Sequence, residues 1–310
     1  MPDSCIVSSP DTIEPKPVPG GQAENRTPAG SSAVFNRLYP LDCRIQHYPW
    51  GERARDGQRP YIAELLDVPA EPDQPFAELW IGAHPQLPAD VRTDHGTVPL
   101  DAFIEKNPTA ILGAELVRQS ISRLPFLLKI LSCERPLSIQ AHPDRERAAE
   151  LHARDPEHYP DPNHKPEIAI ALRGMEALCQ FRNAKDIRTD VRRLHTLKTF
   201  FADLSDEADP GQWLRAAYGR TLAAEPSVLQ PLLETLENDV RRQTAPTDAD
   251  RLFLRLLAFR PGDKGALSAY FLNHVRLEPG EALFLAPNEP HAYLNGTIVE
   301  CMANSNNVVR

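Results

Sequence analysis

Ser138-Ile139-Gln140-Ala141-His142 is the first stretch whose side chains suggest chemistry. On an extended strand alternate residues share a face, so Ser138, Gln140 and His142 point one way and Ile139 and Ala141 the other. Such a row would equally suit the solvent face of an ordinary strand. In Asn163-His164-Lys165-Pro166-Glu167, Lys165 and Glu167 are again two apart, at the head of an apolar run. A carboxylate buried there is costly unless something offsets its charge. A metal ion would do so, and so would the Lys165 ammonium in a plain ion pair. His291 falls in a turn between two apolar stretches, Asn288-Glu289-Pro290-His291-Ala292-Tyr293-Leu294, where a purely structural histidine is the simpler alternative. Together Gln140, His142, Glu167 and His291 make a nitrogen and oxygen donor set. It suits zinc or another first-row divalent ion with a position open for substrate or water. Two donors on one strand and two from later strands would place such a site in the mouth of a β-barrel.

The elements that must hold these residues are short apolar runs bounded by Pro, Gly and Asp. They lie at 77–85, 124–131, 136–142 and 166–172 and read as strands joined by turns. Between 173 and 265 the texture becomes helical. Leu232, Leu233, Leu236 and Val240 recur at helical spacing, and Thr247-Asp248-Ala249-Asp250 resembles an acidic capping box before RLFLRLLAF. Weaker helices are expected over 186–199 and 210–222. Strand texture resumes at Tyr270. Of 31 prolines only four lie in 167–260, as the cost of proline inside a helix requires. Residues 1–34 carry six prolines and few large apolar groups and read as a disordered tail. The fold class is therefore mainly β, with a helical excursion at 173–265 between core segments 35–172 and 266–310.

The chain has 34 Lys and Arg against 43 Asp and Glu, a net charge of −9. That is a poor match to duplex nucleic acid, which needs a basic face. There is no apolar run of ~18 residues, so no membrane helix is expected, and the N-terminus lacks the pattern of a secretory signal. Five scattered cysteines without a CxxC pair read as reduced thiols, with the cytoplasm as the expected compartment and a monomer as the expected state. No Gly-rich nucleotide loop is present.

The segments YPWG (48–51), AELWIGAHP (77–85), LPFLLKILSCERPLSIQAHPDRERA (124–148), NHKPEIAIAL (163–172) and FLAPNEPHAYLNGTIVECMANSNNVVR (284–310) resemble type I phosphomannose isomerases. The resemblance extends over about 38–310. It implies a cupin-type jelly-roll sandwich with an inserted helical domain, followed by a further cupin-like domain. It implies one Zn²⁺ held by Gln140, His142, Glu167 and His291. The implied reaction is interconversion of mannose 6-phosphate and fructose 6-phosphate, which feeds GDP-mannose synthesis. On that basis Lys165 and Glu300 are proton-transfer candidates, Arg310 stabilises negative charge on the sugar phosphate, and Ser138 and Lys129 are weaker phosphate candidates. Lys165 could instead serve only as the partner of Glu167, and Glu300 only to orient His291.

The chain departs from the family in three ways. It stops at Arg310, where the family continues into an AGLTPK-like stretch whose lysine belongs to the active site. The metal-binding domain is therefore expected to be incomplete at its C-terminus, with the C-terminal cupin-like domain missing. Thr297 and Asn306 stand where the family usually has Asp, each expected to remove a negative charge near the metal. The competing expectation is a metal-binding cupin that binds sugar phosphate without turnover or acts in regulation. An iron-dependent cupin oxygenase is disfavoured by the Gln donor.

Overall fold

A computed structural model of the chain describes residues 6–7, 38–205 and 208–310. The expected disordered tail lies outside the described residues except at Ile6–Val7, a two-residue strand. The strands in chain order are β1 (Ile6–Val7), β2 (Leu41–Asp42), β3 (Arg44–Gln46), β4 (Glu78–Ile81), β5 (Asp90–Thr93) and β6 (Gly96–Pro99). They continue as β7 (Phe126–Cys133), β8 (Glu167–Ala171), β9 (Met175–Phe181), β10 (Leu272–Leu277), β11 (Ala282–Leu285) and β12 (His291–Ala303).

The main layer is antiparallel, in the order β1-β11-β8-β12-β7-β4-β3. A second ladder, β10-β9-β12, shares the long strand β12 with it, while β2, β5 and β6 form a separate small sheet. The strand β12 can serve both ladders because it bends at Gly296. There φ is +122°, a conformation open to glycine and costly for other residues, and a Cβ would meet the Gly174 carbonyl. The register also shifts between Tyr293 and Asn295. Two sheets facing across a shared strand make the expected sandwich.

Side-chain alternation then fixes which residues face inward. In the main layer Lys129 pairs with Trp80 on one side and Glu300 on the other, and Glu300 pairs with Ala169 of β8. Glu78 and Glu167 lie two residues from Trp80 and Ala169, so they share that face. One sheet face thus carries Glu78, Trp80, Lys129, Glu300 and Glu167. In the second ladder Ala177, Cys179 and Tyr293 face inward into the sandwich core with Leu131 and Ile298. Leu178, Ala292 and Leu294 face outward into the helical core.

The helical excursion runs through Ala184–Arg193, His195–Phe200, Pro210–Ala223, Pro226–Arg241 and Asp248–Phe259. Leu229, Leu232, Leu233, Leu236 and Val240 form the buried stripe of the fourth of these. The fifth opens with the expected capping box: Thr247 accepts from the Asp250 amide, and Asp250 accepts from the Thr247 amide at 2.8 Å. The excursion packs its apolar stripes on the outer face of β9 and β12, so it shares a core with the sheet.

Four expectations need correction. Met175–Phe181, placed in the helical segment, is a strand, because it must cover the inner core as well as the helices. The 136–142 segment is extended but makes only isolated bridges, Gln140 to His291 and Ala141 to Val309. His291 opens β12 and does not sit in a turn. Tyr270 still lies in a helical turn, Ser268–Phe271, before strand β10 begins. Short helices at Leu100–Lys106, Pro108–Leu112, Ala114–Arg118 and Arg145–Arg154 also occur where only strands and turns were expected. No helix among the described residues is long and apolar enough to cross a membrane. Cys43, Cys133, Cys179 and Cys301 form no disulfide among the described residues; burial pushes the Cys133 thiol up to about 12, which makes it inert.

Candidate metal centre

Glu167, first residue of β8, His291, first residue of β12, and His142, at the end of the 136–142 segment, converge in the sandwich interior. One donor atom from each lies within 4.8 Å of the others, and all three side chains are buried. His142 Nε2 is 3.3 Å from Glu167 Oε1, and His291 Nε2 is 3.3 Å from Glu167 Oε2. Each imidazole is oriented from behind. His142 Nδ1 donates to the Asn307 carbonyl at 2.8 Å, and His291 Nδ1 donates to the Glu289 carbonyl at 2.9 Å. Both rings therefore turn an unprotonated Nε2 toward the carboxylate, the arrangement metal-bound histidines use.

In that tautomer lone pairs face lone pairs. His142 Nε2 and Glu167 Oε2 are buried without a hydrogen-bond partner. Orphaned acceptors converging on one point are what a cation satisfies, so the residues fit a divalent ion. Gln140 completes the set. Its Nε2 lies 3.2 Å from His291 Nε2, and turning the amide over presents Oε1 to the same point.

The electrostatics agree. Burial drives the Glu167 carboxyl up, but the Lys165 ammonium reverses this and holds it well below the ordinary carboxylate range. Lys165 Nζ donates to Glu167 Oε1 at 2.9 Å. Burial pushes His142 below the usual histidine range, against the pull of Glu167, so it is neutral at pH 7. Divalent-metal affinity should therefore stay nearly flat from pH 8 to about 6.5. Below the depressed value of His142 it should fall by up to about tenfold per pH unit for each proton that must leave. Competition with a colorimetric chelator across that range checks this; an affinity that rises on acidification would contradict it.

Beside the donor set lies a cavity of about 490 Å³ with a buried floor. Glu300 is buried there and accepts from the Tyr293 hydroxyl at 2.8 Å. Burial, followed by the negative charge of Glu167, pushes Glu300 up to about 7, with Lys129 and Lys165 pulling the other way. A dication on the donor set would also pull it down. Burial, with the Glu300 charge next, keeps the Tyr293 phenol far above its usual range, so it remains a donor. Lys129 is committed: it pairs with Glu78 at 3.3 Å and lies 4.5 Å above the Trp80 ring. Ser138 is exposed at the rim and Arg310 is exposed beside it; both line the same cavity.

Thus the cavity brings together Gln140, Glu167, Lys165, Glu300, Lys129, Ser138 and Arg310, with His142 and His291 grouped around Glu167. Glu300 orients no ligand histidine; its partner is Tyr293. Thr297 lies outside this cavity, bonded to Ser132 at 2.7 Å, so its neutral side chain leaves the metal surroundings unchanged. Asn306 accepts from His84 at 3.1 Å. Sequence reasoning passed over Glu78, Trp80 and Tyr293; alternation from His291 could have found Tyr293, whereas Glu78 and Trp80 reach the site through the pairing of β4 with β7. It could not have found the Asn307 and Glu289 carbonyls, because main-chain groups leave no residue signal.

A jelly-roll sandwich with a buried His-Glu-His set and a half-buried Gln beside it defines a metal-dependent cupin. The chain matches the family description phosphomannose isomerase type I, catalytic domain, over residues 38–184. It is 37% identical over 292 residues to the mannose-6-phosphate isomerase of Homo sapiens, covering 88% of this chain and 69% of that protein. With the enzyme of Saccharomyces cerevisiae it shares 36% identity over 304 residues, covering 89% and 70%. A zinc-bound crystal structure of mannose 6-phosphate isomerase superposes with a TM-score of 0.75 at 32% identity, covering 88% of this chain and 69% of that one. The chain belongs to the type I phosphomannose isomerase family.

Proposed function

We propose that the chain is a zinc-dependent aldose–ketose isomerase acting on mannose 6-phosphate and fructose 6-phosphate. The observation that carries this reading is the pair of orphaned acceptors, His142 Nε2 and Glu167 Oε2, at the end of a cavity whose floor holds Glu300 and Lys165. One Zn²⁺ is the ion, held by Gln140, His142, Glu167 and His291, in keeping with the zinc-bound relative. When bound it supplies positive charge to the sugar oxygens.

The reaction moves a proton between C2 and C1 while a carbonyl and a hydroxyl exchange places. Glu300 is the group that takes and returns that proton: burial raises its carboxyl and a bound dication lowers it, so it serves as a base at neutral pH. Tyr293 holds the Glu300 Oε1 side of the carboxyl and leaves Oε2 for the substrate. Lys165, cationic beside Glu167, donates toward the sugar oxygen on which charge develops. Lys129 sets the position and charge of the floor through Glu78 and Trp80. Arg310 at the rim stabilises the anionic substrate. The product would feed activation of mannose to GDP-mannose in the cytoplasm, and the protein would act as a monomer.

The test is to purify the 310-residue chain, measure bound metal, and couple fructose 6-phosphate formation from mannose 6-phosphate to a reporter enzyme. The expected result is one zinc per chain, with turnover lost on chelation and restored by Zn²⁺. Full zinc occupancy without turnover would overturn the enzyme reading and leave a sugar-phosphate-binding cupin.

A further inference from the structure

The cavity is charged in two layers. Its lining carboxylates, Glu78, Glu167 and Glu300, are all buried at the floor. Its exposed lining residues include Arg135, Arg260 and Arg310 and no acidic side chain. A sugar phosphate has the opposite polarity: a neutral polyol at the reacting end and a phosphate dianion at the other. With C1 and C2 at the metal, the phosphate must face outward, away from the buried carboxylates and into the arginine layer.

Lys129 cannot fill that role, since it is buried and paired with Glu78. The arginines are freer. Arg135 approaches Glu134 only at 3.9 Å, and that carboxylate already holds Arg55 in a close ion pair and receives the Arg53 amide at 3.1 Å. Arg260 approaches Asp263 at 3.4 Å with its side chain 68% exposed. Both therefore keep most of their planar donor edge available, the geometry that binds phosphate by two parallel hydrogen bonds.

We propose that Arg135 and Arg260, together with Arg310, form the phosphate clamp of this cavity, so that the helical excursion supplies part of the substrate site. The clamp rests on the sugar-phosphate reading of the cavity. Arg260 follows directly on the Asp248–Phe259 helix, whose final turn is closed by its own amide bonding to the Leu256 carbonyl. Arg135 comes from the sheet, two residues beyond β7. The phosphate is thus held between the sheet and the helical excursion, and the clamp decides which sugars are accepted by the charge at C6.

The experiment uses the zinc-loaded 310-residue chain and its Arg135→Ala, Arg260→Ala, double, and Arg260→Lys variants. Two quantities are read: the Kd of inorganic phosphate by calorimetry, and kcat and KM for mannose 6-phosphate. Each alanine variant should weaken phosphate binding and raise KM by roughly tenfold, the double variant by more, with kcat changed far less and zinc content unchanged. Arg260→Lys should recover only part of the loss, since it keeps the charge and not the fork. Phosphate binding as tight in the double variant as in the wild type would overturn the clamp, as would a wild-type chain that binds no phosphate. Arginine-dependent phosphate binding without turnover would uphold the clamp and sink the isomerase reading. Turnover with a KM indifferent to both arginines would do the reverse.

Discussion

His291→Ala protein is expected to lose stoichiometric zinc and to fall on the order of 10³-fold or more in kcat/KM. The size follows from what the side chain does. It supplies one of the donors to the buried set, faces Glu167 Oε2 at 3.3 Å and pairs with Gln140 through both main chain and side chain. Removing a group that merely orients a ligand costs ~10–100-fold, so removing the ligand itself must cost more. The main-chain bridge to Gln140 does not depend on the ring, so the strand should survive. Metal analysis together with circular dichroism checks both halves: native spectra, no retained zinc, no turnover. A variant that still carries one zinc per chain after dialysis would show that His291 is not a ligand.

Asp250→Ala should lower stability by about 3–5 kcal/mol while leaving the zinc site intact. Asp250 is fully buried and serves three partners: Arg193 at 2.9 Å, the Tyr270 hydroxyl at 3.0 Å, and the Thr247 amide of the capping box at 2.8 Å. Deleting the carboxylate leaves Arg193 with Asp190 and a long bond to the Thr247 hydroxyl, and orphans a phenol inside the helical core. Burial drives the Asp250 carboxyl up, but Arg193 and the amide donor outweigh it and hold it below the usual range. Its contribution is therefore present above ordinary aspartate pH and lost on acidification. Urea unfolding with an unchanged slope, beside a zinc assay, measures it; a midpoint within error of wild type would contradict the assignment. Asp250→Asn should fall between the two, since the amide oxygen still accepts from Tyr270.

How far the residues announced this arrangement depended on which forces set each part. The Leu232-to-Val240 stripe and the Thr247 cap are local signals, and both took the predicted form. The donor set was legible because its residue types are costly to bury without a reason. Strand β9 was assigned to the wrong layer because a strand covered on both faces loses its alternation, and MEALCQF reads no differently from a helix. The 136–142 segment misled in the opposite sense: its alternation was right, yet no ladder forms on it. The arginine rim was missed because Arg135 and Arg260 lie far apart in sequence and only the tertiary fold brings them to one cavity.

The separation between Gln140 and His291 is 151 positions, and the whole helical excursion lies inside it. In polymer terms the bound ion would be a cross-link that closes a very large ring. The entropy of closing such a ring grows only with the logarithm of its length, about 0.6 kcal/mol for each doubling. The excursion is therefore free to lengthen or shorten at small cost to the joint that holds the ion. The clamp is less forgiving, because it requires the last turn of that excursion to arrive at a fixed place.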